Sequence, residues 1–228
     1  MKIKILTFVV ILIVVGISLP MESFGQTVYE VVPGTKGNEI TITLSNISEM
    51  ENATNVLVKP VKMIVSRDSK VKANYTFDKE SQIVDSIKAG EEKAVTFKFD
   101  INISAPVNKQ DTIDFMISSD NGVMLQKTFV IKYAAPKEFS LSQNYPNPFN
   151  PTTKIRYTIP DVGASLMKPV QLKVYDILGG EVTTLVNKEQ DAGYYEVNFD
   201  GSRYASGVYI YRLVAGDYVS TKKMMMIK

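Results

Sequence analysis

The sequence predicts an all-β protein with two immunoglobulin-like antiparallel β-sandwiches in tandem, after an N-terminal signal peptide. On both sides of a proline-rich stretch, apolar residues alternate with polar ones in short runs separated by turn residues, and no segment keeps a helical period. The chain has 228 residues and 45% hydrophobic content, enough for one or two globular domains with proper cores. We predict a signal peptide at 1–25, a first β-sandwich at 26–133, a linker at 134–143 and a second β-sandwich at 144–228.

The composition excludes several classes of function. The chain contains no histidine, cysteine or tryptophan. Histidine-based nucleophile systems, the usual zinc, haem and iron–sulfur ligand sets, and disulfides are therefore absent. A net charge of +2 gives no basic surface for nucleic acid. We expect no cofactor, no metal and no enzyme activity, although a pair of catalytic carboxylates or an oxygen-ligand site for calcium or magnesium remains open.

The amino terminus has the three parts of a secretory signal peptide. Lys2 and Lys4 supply the positive charge, and the apolar run from Ile5 to Leu19 follows. Small residues then precede a cleavage site between Gly25 and Gln26. The alternative is a membrane anchor, but the run is shorter than the roughly 20 residues that span a bilayer. A lipid anchor attached to cysteine is excluded because the chain has none.

The first region is predicted to form seven or eight strands, the size of an immunoglobulin-like sandwich. Its first alternating run holds Ile40, Ile42 and Leu44, and the turn Asp120-Asn121-Gly122 predicts a hairpin because Asn and Gly accept positive φ. Pro60 marks an edge or a bulge. The other residues that mark strands are Val56, Val58, Tyr75, Phe77, Ile83, Ile87, Val95, Phe97, Phe99, Ile113, Phe115, Ile117 and the run from Val123 to Tyr133.

The pattern of Asn46-Ile47-Ser48, of residues 51–58 and of residues 87–97 loosely resembles bacterial surface β-sandwich modules of the CARDB-like and NPCBM-associated types. The resemblance implies a spacer or binding module and transfers no site. Ser86 and Thr112 each stand between an aspartate and an aliphatic residue, the acceptor pattern of a periplasmic O-glycosylation system. Patterns of three residues also arise by chance, so modification of these two residues stays open.

The stretch from Asn144 to Pro151, Asn-Tyr-Pro-Asn-Pro-Phe-Asn-Pro, separates the two predicted sandwiches. Its prolines lack an N–H group and disfavour helix in the preceding residue, so it is neither a helix nor an interior strand. We expect a rigid, turn-rich segment whose Tyr145 and Phe149 pack against a folded domain.

The region after this stretch predicts a second sandwich of six or seven strands. Apolar residues at alternate positions share one face of each strand. They are Ile155, Tyr157 and Ile159 in the first strand, Leu172 and Val174 in the next, and Val197 and Phe199 further on. Gly179-Gly180 and Ala192-Gly193 predict turns between strands.

Several motifs of this region occur in the order of one known family. They are residues 141–153, 154–160, 170–179, 181–186, 191–200, 205–213 and the final 222–228. Together they resemble the type A C-terminal sorting domain of the type IX secretion system. Gly180, where the family commonly has a basic residue, and a lengthened loop at 163–169 depart from it. The sorting motif maps onto Asn144, Tyr145, Pro146, Asn147, Pro148, Phe149, Asn150, Pro151, Gly207, Val208, Tyr209, Lys222, Lys223, Met224 and Lys228.

The resemblance implies a route of export. The signal peptide would take the chain through the general secretion machinery, and the outer-membrane translocon of the type IX system would read the folded tail. A sortase of that system would cut between Ala134 and Ser140 and could join the first domain to anionic lipopolysaccharide. Recognition would rest on Met224 to Lys228, by pairing along a strand edge. The protein would end at the cell surface or be secreted, via the periplasm and the outer membrane.

The first domain keeps three hypotheses open. It is a non-enzymatic module that binds a surface ligand or mediates adhesion, a structural spacer or envelope assembly subunit, or a hydrolase with two carboxylates. A contiguous exposed aromatic patch would favour binding, and an even polar surface would favour a spacer. The hydrolase needs two acids about 5–10 Å apart in a pocket.

Overall fold

The computed structural model describes residues 6–12, 28–61, 74–161 and 168–228, and only the backbone of the first of these ranges. In these ranges every regular secondary-structure element is a β-strand, which confirms the all-β prediction. The chain divides into two compact units, Met1–Ala134 and Ala135–Lys228. The strands are β1 (Leu6–Leu12), β2 (Val28–Val31), β3 (Asn38–Asn46), β4 (Ala53–Val61), β5 (Tyr75–Phe77), β6 (Gln82–Ile87), β7 (Glu92–Ile101), β8 (Gln110–Ser118), β9 (Met124–Tyr133), β10 (Ser140–Leu141), β11 (Thr152–Ile159), β12 (Lys168–Tyr175), β13 (Glu181–Gln190), β14 (Gly193–Asp200), β15 (Gly207–Ala215) and β16 (Tyr218–Met226).

The first unit contains two sheets around one core. One sheet has the strand order β1-β3-β7-β5, and the other has the order β2-β9-β8-β4-β6. Most pairs are antiparallel, but β1 pairs with β3 and β2 pairs with β9 in parallel. Parallel neighbours need a long connection, and both pairs join strands that are far apart along the chain.

The core of the first unit follows the predicted alternation. Ile40, Ile42 and Leu44 are fully buried in β3. An aromatic cluster fills the space between the sheets, with the Phe97 and Phe115 ring centroids 5.1 Å apart. Phe77 meets the rings of Phe97 and Phe115 edge-on at 6.1 and 5.6 Å. Such contacts add to the stability that burial of apolar surface provides.

The predicted turn and edge of the first unit are confirmed. Gly122 has a φ of +80° in the loop between β8 and β9, where Ser118 pairs with Met124. Pro60 pairs with Phe115 of β8, while the ladder to β6 ends at Val58. Among the described residues, Pro60 therefore lies where β4 pairs with β8 alone, an edge position at which a missing N–H is tolerated.

The described part of the second unit has seven strands, β10–β16, which agrees with the predicted six or seven. Its sheets have the strand orders β10-β11-β14 and β13-β12-β15-β16. Their inner faces meet at Ile155, Tyr157, Leu172, Val174 and Phe199, which are all buried. Gly179 takes a φ of +87° in the turn after β12.

The predicted linker, 134–143, contains residues that belong to the second unit. Ser140 and Leu141 form β10 and pair with Thr158 and Tyr157 of β11. Just before β10, the ring of Phe139 stacks on Tyr218 with centroids 5.1 Å apart. This strand could not be predicted from local pattern, because two residues are too few to show an alternation.

The predicted signal peptide is partly described. Its segment Leu6–Leu12 forms β1 beside β3, whereas Gly25 and Gln26, at the predicted cleavage site, lie outside the described residues. Among the described parts of the chain, none forms a helix long and apolar enough to cross a membrane. Removal of residues 1–25 therefore stays a prediction.

We predict an acid-sensitive contribution to stability at the β11–β14 ladder. Lys154 Nζ lies 2.6 Å and Arg156 Nε 2.7 Å from the carboxylate of Glu196. Burial raises the pKa of Glu196, but hydrogen bonds from Lys154 and Arg156 outweigh it and hold that pKa below its usual value. A carboxyl group with a lowered pKa stabilises the folded state at every pH above its unfolded-state pKa of about 4.3. This stabilisation is lost as the pH falls through the folded-state pKa.

The measurement is urea unfolding of the wild type and Glu196→Gln from pH 7 down to acid. The difference in unfolding free energy between them should be about 1 kcal/mol or less at neutral pH and should shrink on acidification. Glu189→Gln, at an exposed position of β13, is the control. A difference that stays constant or grows towards low pH would contradict the role of the ion pairs.

Candidate functional site

The proline-rich stretch lies against the end of the chain. We call Asn144–Pro151 the entry segment and Met224–Lys228 the closing segment. Phe149 N–H donates to the Met225 carbonyl at 2.9 Å, and Ile227 N–H donates to the Phe149 carbonyl at 3.0 Å. Met225 N–H donates to Asn147 Oδ1 at 2.9 Å. The entry segment thus occupies the outer edge of β16 over the closing segment.

Apolar packing supports these hydrogen bonds. Phe149 is buried and meets Phe199 edge-on, with ring centroids 5.7 Å apart. Met224 and Met226 are buried in the same core. Gly201 donates its N–H to the Pro151 carbonyl at 2.8 Å, and a Cβ added to it would overlap the Met226 sulfur. Met226 can therefore enter the core beneath the entry segment because residue 201 has no side chain.

Asn144 supplies hydrogen-bond donors that the prolines lack. Its side chain is buried and Nδ2 donates to the Pro146 carbonyl and to Thr153 Oγ1, both at 3.0 Å. Thr153 Oγ1 also donates to the Pro146 carbonyl, at 2.8 Å. These hydrogen bonds hold the backbone in one geometry, because breaking any of them would leave a buried donor or acceptor without a partner.

Tyr211 ties this network to β15. Its hydroxyl donates to the Ser142 carbonyl at 2.8 Å and accepts the Asn144 N–H at 2.9 Å. Burial raises the pKa of Tyr211 to about 12, against a lowering effect of the Asn144 N–H. The hydroxyl therefore keeps its proton over the physiological range and continues to donate.

The entry segment buries only part of itself. Phe149 packs inward as predicted, but the prediction for Tyr145 is wrong because its side chain is 80% exposed. The backbone of Tyr145 pairs with Lys154 in both directions, at 2.9 and 3.0 Å, while the neighbouring Asn144 takes the inward position. Apart from Asn144 and Phe149, the segment's side chains are exposed or half-buried. The Tyr145–Pro146 and Asn147–Pro148 bonds are cis.

The other predicted sorting residues lie beside the entry segment. Gly207, Val208 and Tyr209 of β15 pair with Met226, Met225 and Met224 of β16. The Lys223 carbonyl accepts a hydrogen bond from Gln143 Nε2 at 2.7 Å. Lys228 donates its N–H to Ser206 Oγ at 3.1 Å and its Nζ to the Ser202 carbonyl at 3.0 Å. Lys222 lies further along β16, opposite Tyr211. The structure therefore brings together three motifs that are far apart in sequence.

The outward face of this junction is apolar. Val208 and Met225 are direct cross-strand neighbours, with 38% and 46% of their surface exposed, and Ile227 is 51% exposed. We call these three residues the outer patch. Singly exposed apolar residues are common, but a cluster next to exposed Lys223 and Lys228 has the character of a contact surface.

Sequence reasoning missed several residues on which the junction depends. Gly201 lies outside the motifs that carry the resemblance. Thr153, Tyr211 and Met226 lie within them but were not singled out as site residues. Each of the four contacts the entry segment or its partners. The alternation of Tyr209, Tyr211 and Leu213 was visible as one face of a strand. The part of the domain that this face packs against depends on the strand order, which a local sequence pattern does not predict.

The first unit carries a separate cavity of about 590 Å³. Its lining combines aromatic and aliphatic side chains with exposed charged ones: Lys59, Pro60, Val61, Tyr75, Phe77, Lys79, Glu80 and Met116. The Tyr75 and Phe77 rings meet edge-on at 5.8 Å, and the Tyr75 hydroxyl donates to the Thr112 carbonyl at 2.8 Å. Both rings are thus fixed in place, and burial together with Asp111 and Asp114 raises the pKa of Tyr75 to about 12.

The structure does not assemble the other candidate residues of the first unit into a site. Over residues 28–61, 74–161 and 168–228, the structure has no cluster of three or more Asp, Glu, His or Cys side chains that could hold a metal ion. Ser86 and Thr112 are half-buried and paired in strands, with Thr54 and Val130 opposite them. Their modification stays a prediction.

Comparison with known families identifies the second unit. Residues 143–228 match the family model of the secretion system C-terminal sorting domain. The match spans the entry segment, the closing segment and every strand from β11 to β16. Residues 143–228 therefore form a sorting domain of the type IX secretion system, which indicates export to the cell surface or secretion.

Comparisons with other proteins add less. No curated protein matches the chain. Among solved structures, it is similar to dimeric latent PorU from Porphyromonas gingivalis at 14% identity and a TM-score of 0.32, over 90% of this chain but only 19% of PorU. The D0-D1 domain of intimin matches at 12% identity and a TM-score of 0.28, over 90% of this chain and 96% of that one. The YadV chaperone matches at 11% identity and a TM-score of 0.29, over 88% and 96% of the two chains.

We predict that Gly201→Ala loosens the junction. The added methyl group overlaps the Met226 sulfur and lies 3.2 Å from the Pro151 carbonyl oxygen, so either Met226 or the entry segment must move. Overpacking of this kind costs about 1–3 kcal/mol of unfolding free energy. Urea unfolding of the mature protein measures the loss. Ser202→Ala, at the exposed next residue, is the control and should change little. Equal stability of the two variants would show that Gly201 is not required for the packing.

Proposed function

We propose that this protein is a cargo of the type IX secretion system whose second unit is the address and whose first unit is a non-enzymatic binding or adhesion module. One observation carries the first part. The stretch that matches the sorting family contains both the entry segment and the closing segment, and these are hydrogen-bonded to one another at Phe149, Met225 and Ile227. An address read in the folded state needs such a fixed surface, because a rigid site lowers the entropic cost of recognition.

The recognised surface is the outer patch rather than a free strand edge. A translocon strand added to β16 would need its edge hydrogen bonds, but Phe149 and Asn147 already hold those of Met225 and Ile227. The outer patch offers exposed apolar side chains at the same place, flanked by lysines that suit an acidic rim. Edge pairing, as expected from the sequence, requires displacement of the entry segment.

The proposed route has three kinds of partner. The general secretion machinery removes residues 1–25, the outer-membrane translocon reads the second unit, and a sortase cuts between the units. The Ala134 N–H is bonded to Val31 within the first unit at 2.8 Å, and Thr158 Oγ1 holds the Glu138 carbonyl in the second at 2.8 Å. The proposed cut therefore lies within Ala135–Lys137. After that cut, the new carboxyl end of the first unit is joined to anionic lipopolysaccharide, or the first unit is released.

The proposed role of the first unit is binding of a surface ligand. The cavity beside Tyr75 and Phe77 combines fixed aromatic rings with exposed Lys59, Lys79 and Glu80, a combination that suits a glycan or another envelope molecule. A purely structural spacer or assembly subunit would not need this cavity. A hydrolase with two carboxylates would need a second acid there, whereas Glu80 is the single acidic residue among the described lining residues. The experiment below separates both alternatives from binding.

We predict that Met225→Lys with Ile227→Lys stops export without unfolding the protein. Both side chains are exposed, so the core keeps Met224 and Met226, while two charges enter the outer patch. Deletion of Met224–Lys228 should have the same effect through loss of the closing segment. Cell fractionation and surface protease treatment measure the distribution, and both variants should accumulate in the periplasm.

Two controls make this experiment decisive. Val219→Lys places a charge on an exposed position of β16 outside the outer patch and should leave export unchanged. Thermal unfolding of the purified double variant checks that the second unit remains folded. Surface display of the folded double variant in normal amounts would refute the outer patch, and normal display of the deletion variant would refute the sorting assignment.

We predict that Met116→Lys weakens ligand binding by the first unit. Met116 lines the cavity, and a lysine there fills it with a charged chain. The mature protein is screened on a glycan array and by pull-down from outer-membrane extract, and any ligand found is titrated. Met124→Lys replaces a methionine that is 72% exposed at the β8–β9 hairpin and serves as the control. No ligand in either screen would favour the spacer, and turnover of a glycan would favour the hydrolase.

A further inference from the structure

Strand β3 has a partner that the proposed processing removes. On one side β3 pairs with β7, from Asn38 opposite Phe99 to Ser45 opposite Glu92. On the other side it pairs in parallel with β1, from Leu6 opposite Ile40 to Leu12 opposite Asn46. All of β1 lies within the predicted signal peptide, residues 1–25. Cleavage before Gln26 therefore leaves β3 as the edge strand of its sheet.

This edge lacks the usual features that protect an edge strand. Natural edges are shortened, bulged, or carry lysine or proline. β3 is nine residues long, contains neither lysine nor proline, and pairs with β7 without a register shift. The other edge strands in the described part of the first unit are shorter, with three residues in β5, four in β2 and six in β6.

Contacts other than those with β1 hold β3 in place. Asn38 Nδ2 donates to the Phe99 carbonyl at 3.2 Å at one end, and Asn46 Nδ2 donates to the Ile87 carbonyl at 2.9 Å at the other. In between, the hydroxyls of Thr41 and Thr96 are 2.8 Å apart across the β3–β7 ladder. The strand therefore stays extended when β1 leaves, with alternate N–H and C=O groups unpaired.

We propose that in the mature protein the free edge of β3 binds an extended segment of a partner protein, which adds in parallel as a new strand. The occupant is uncharged, is at least seven residues long and has apolar side chains at alternate positions. These properties follow from β3 and β1. Ile40, Ile42 and Leu44 belong to the core, so the residues beside them must be apolar, and the segment that occupies the edge before processing is Leu-Thr-Phe-Val-Val-Ile-Leu. Main-chain hydrogen bonds give such binding its affinity and the alternate side chains give it specificity.

The proposal rests on the removal of residues 1–25 in the proposed export route, but not on the sorting domain or on the cavity. The mature protein, 26–228, is therefore produced without its leader and purified for the binding test. The probe is a peptide with the sequence of Leu6–Leu12 between solubilising lysines. Its control carries the same side chains with N-methyl groups at alternate residues, which cannot form the ladder.

We predict that the peptide binds and the N-methylated peptide does not. Hydrogen exchange of the alternate β3 amides that face away from β7 should be fast in the free mature protein and slow in the complex. A spin label at the amino end of the peptide should broaden signals near Ile40 rather than near Asn46, as parallel addition requires. Thr43→Lys, which places a charge on the edge, should weaken binding about tenfold, the factor that corresponds to about 1.4 kcal/mol. Thr76→Lys, on exposed β5 at the opposite edge, should leave it unchanged.

Several results would overturn the inference. Equal binding of both peptides, no binding, or protection in the free monomer of the β3 amides that face away from β7 would each show that the edge is not an open site. A stable dimer of the mature protein with β3 protected would make a second copy the occupant. Mass spectrometry of the exported protein separates this failure from that of the proposed processing. An amino end at Gln26 without peptide binding refutes only the β3 site, whereas a retained leader refutes the removal on which it rests.

Discussion

The architecture of the second unit depends on the hydrogen bonds between Phe149 and the closing segment. A strand at the end of a chain is prone to fraying because few contacts hold it. Here β15 pairs with one side of β16, and the backbone of Phe149 pairs with the other side at Met225 and Ile227. Burial of Phe149, Met224 and Met226 in one core makes those bonds cooperative with folding of the whole unit. The closing segment therefore has this arrangement only in the folded domain, the state in which we propose that the export system recognises it.

The same constraint explains why a segment so rich in proline can belong to a folded domain. Prolines provide carbonyl acceptors without N–H donors, so neighbouring side chains must supply the donors. Asn144 and Thr153 donate to the Pro146 carbonyl, and Gly201 donates its N–H to Pro151. The result is a segment that forms no strand of its own, yet is held by backbone hydrogen bonds at Tyr145, Phe149 and Pro151. Its exposed members, including Tyr145, Pro146 and Pro148, are available for contacts with other molecules.

Much of the fold was predictable from local pattern, because alternation reports which face of a strand is buried. Ile40, Ile42 and Leu44, the turn at Gly122 and the strands of the second unit all follow this rule. The features that escaped prediction depend on contacts between distant residues. Tyr145 faces outward although it is aromatic, because Asn144 takes the inward position. The two-residue β10 is too short to show a period, and the parallel pairs of β2 and β1 depend on sheet order. The junction was predicted as a set of motifs, but its geometry, including Gly201 and Tyr211, was not.

The two units have different relations to export. We propose that the second provides a destination through a surface assembled from three separate motifs, and that the first provides a cavity and, after the proposed processing, an open edge. The proposed address requires that the entry and closing segments form one cooperative structure. Hydrogen exchange of individual amides in the mature protein tests this assumption most directly. We predict that the amides of Phe149, Met225 and Ile227 share one high opening free energy, close to that of the core of the second unit, and that all three lose protection in Phe149→Ala. Rapid exchange at Ile227 in a protein whose β15 amides are protected would contradict the account.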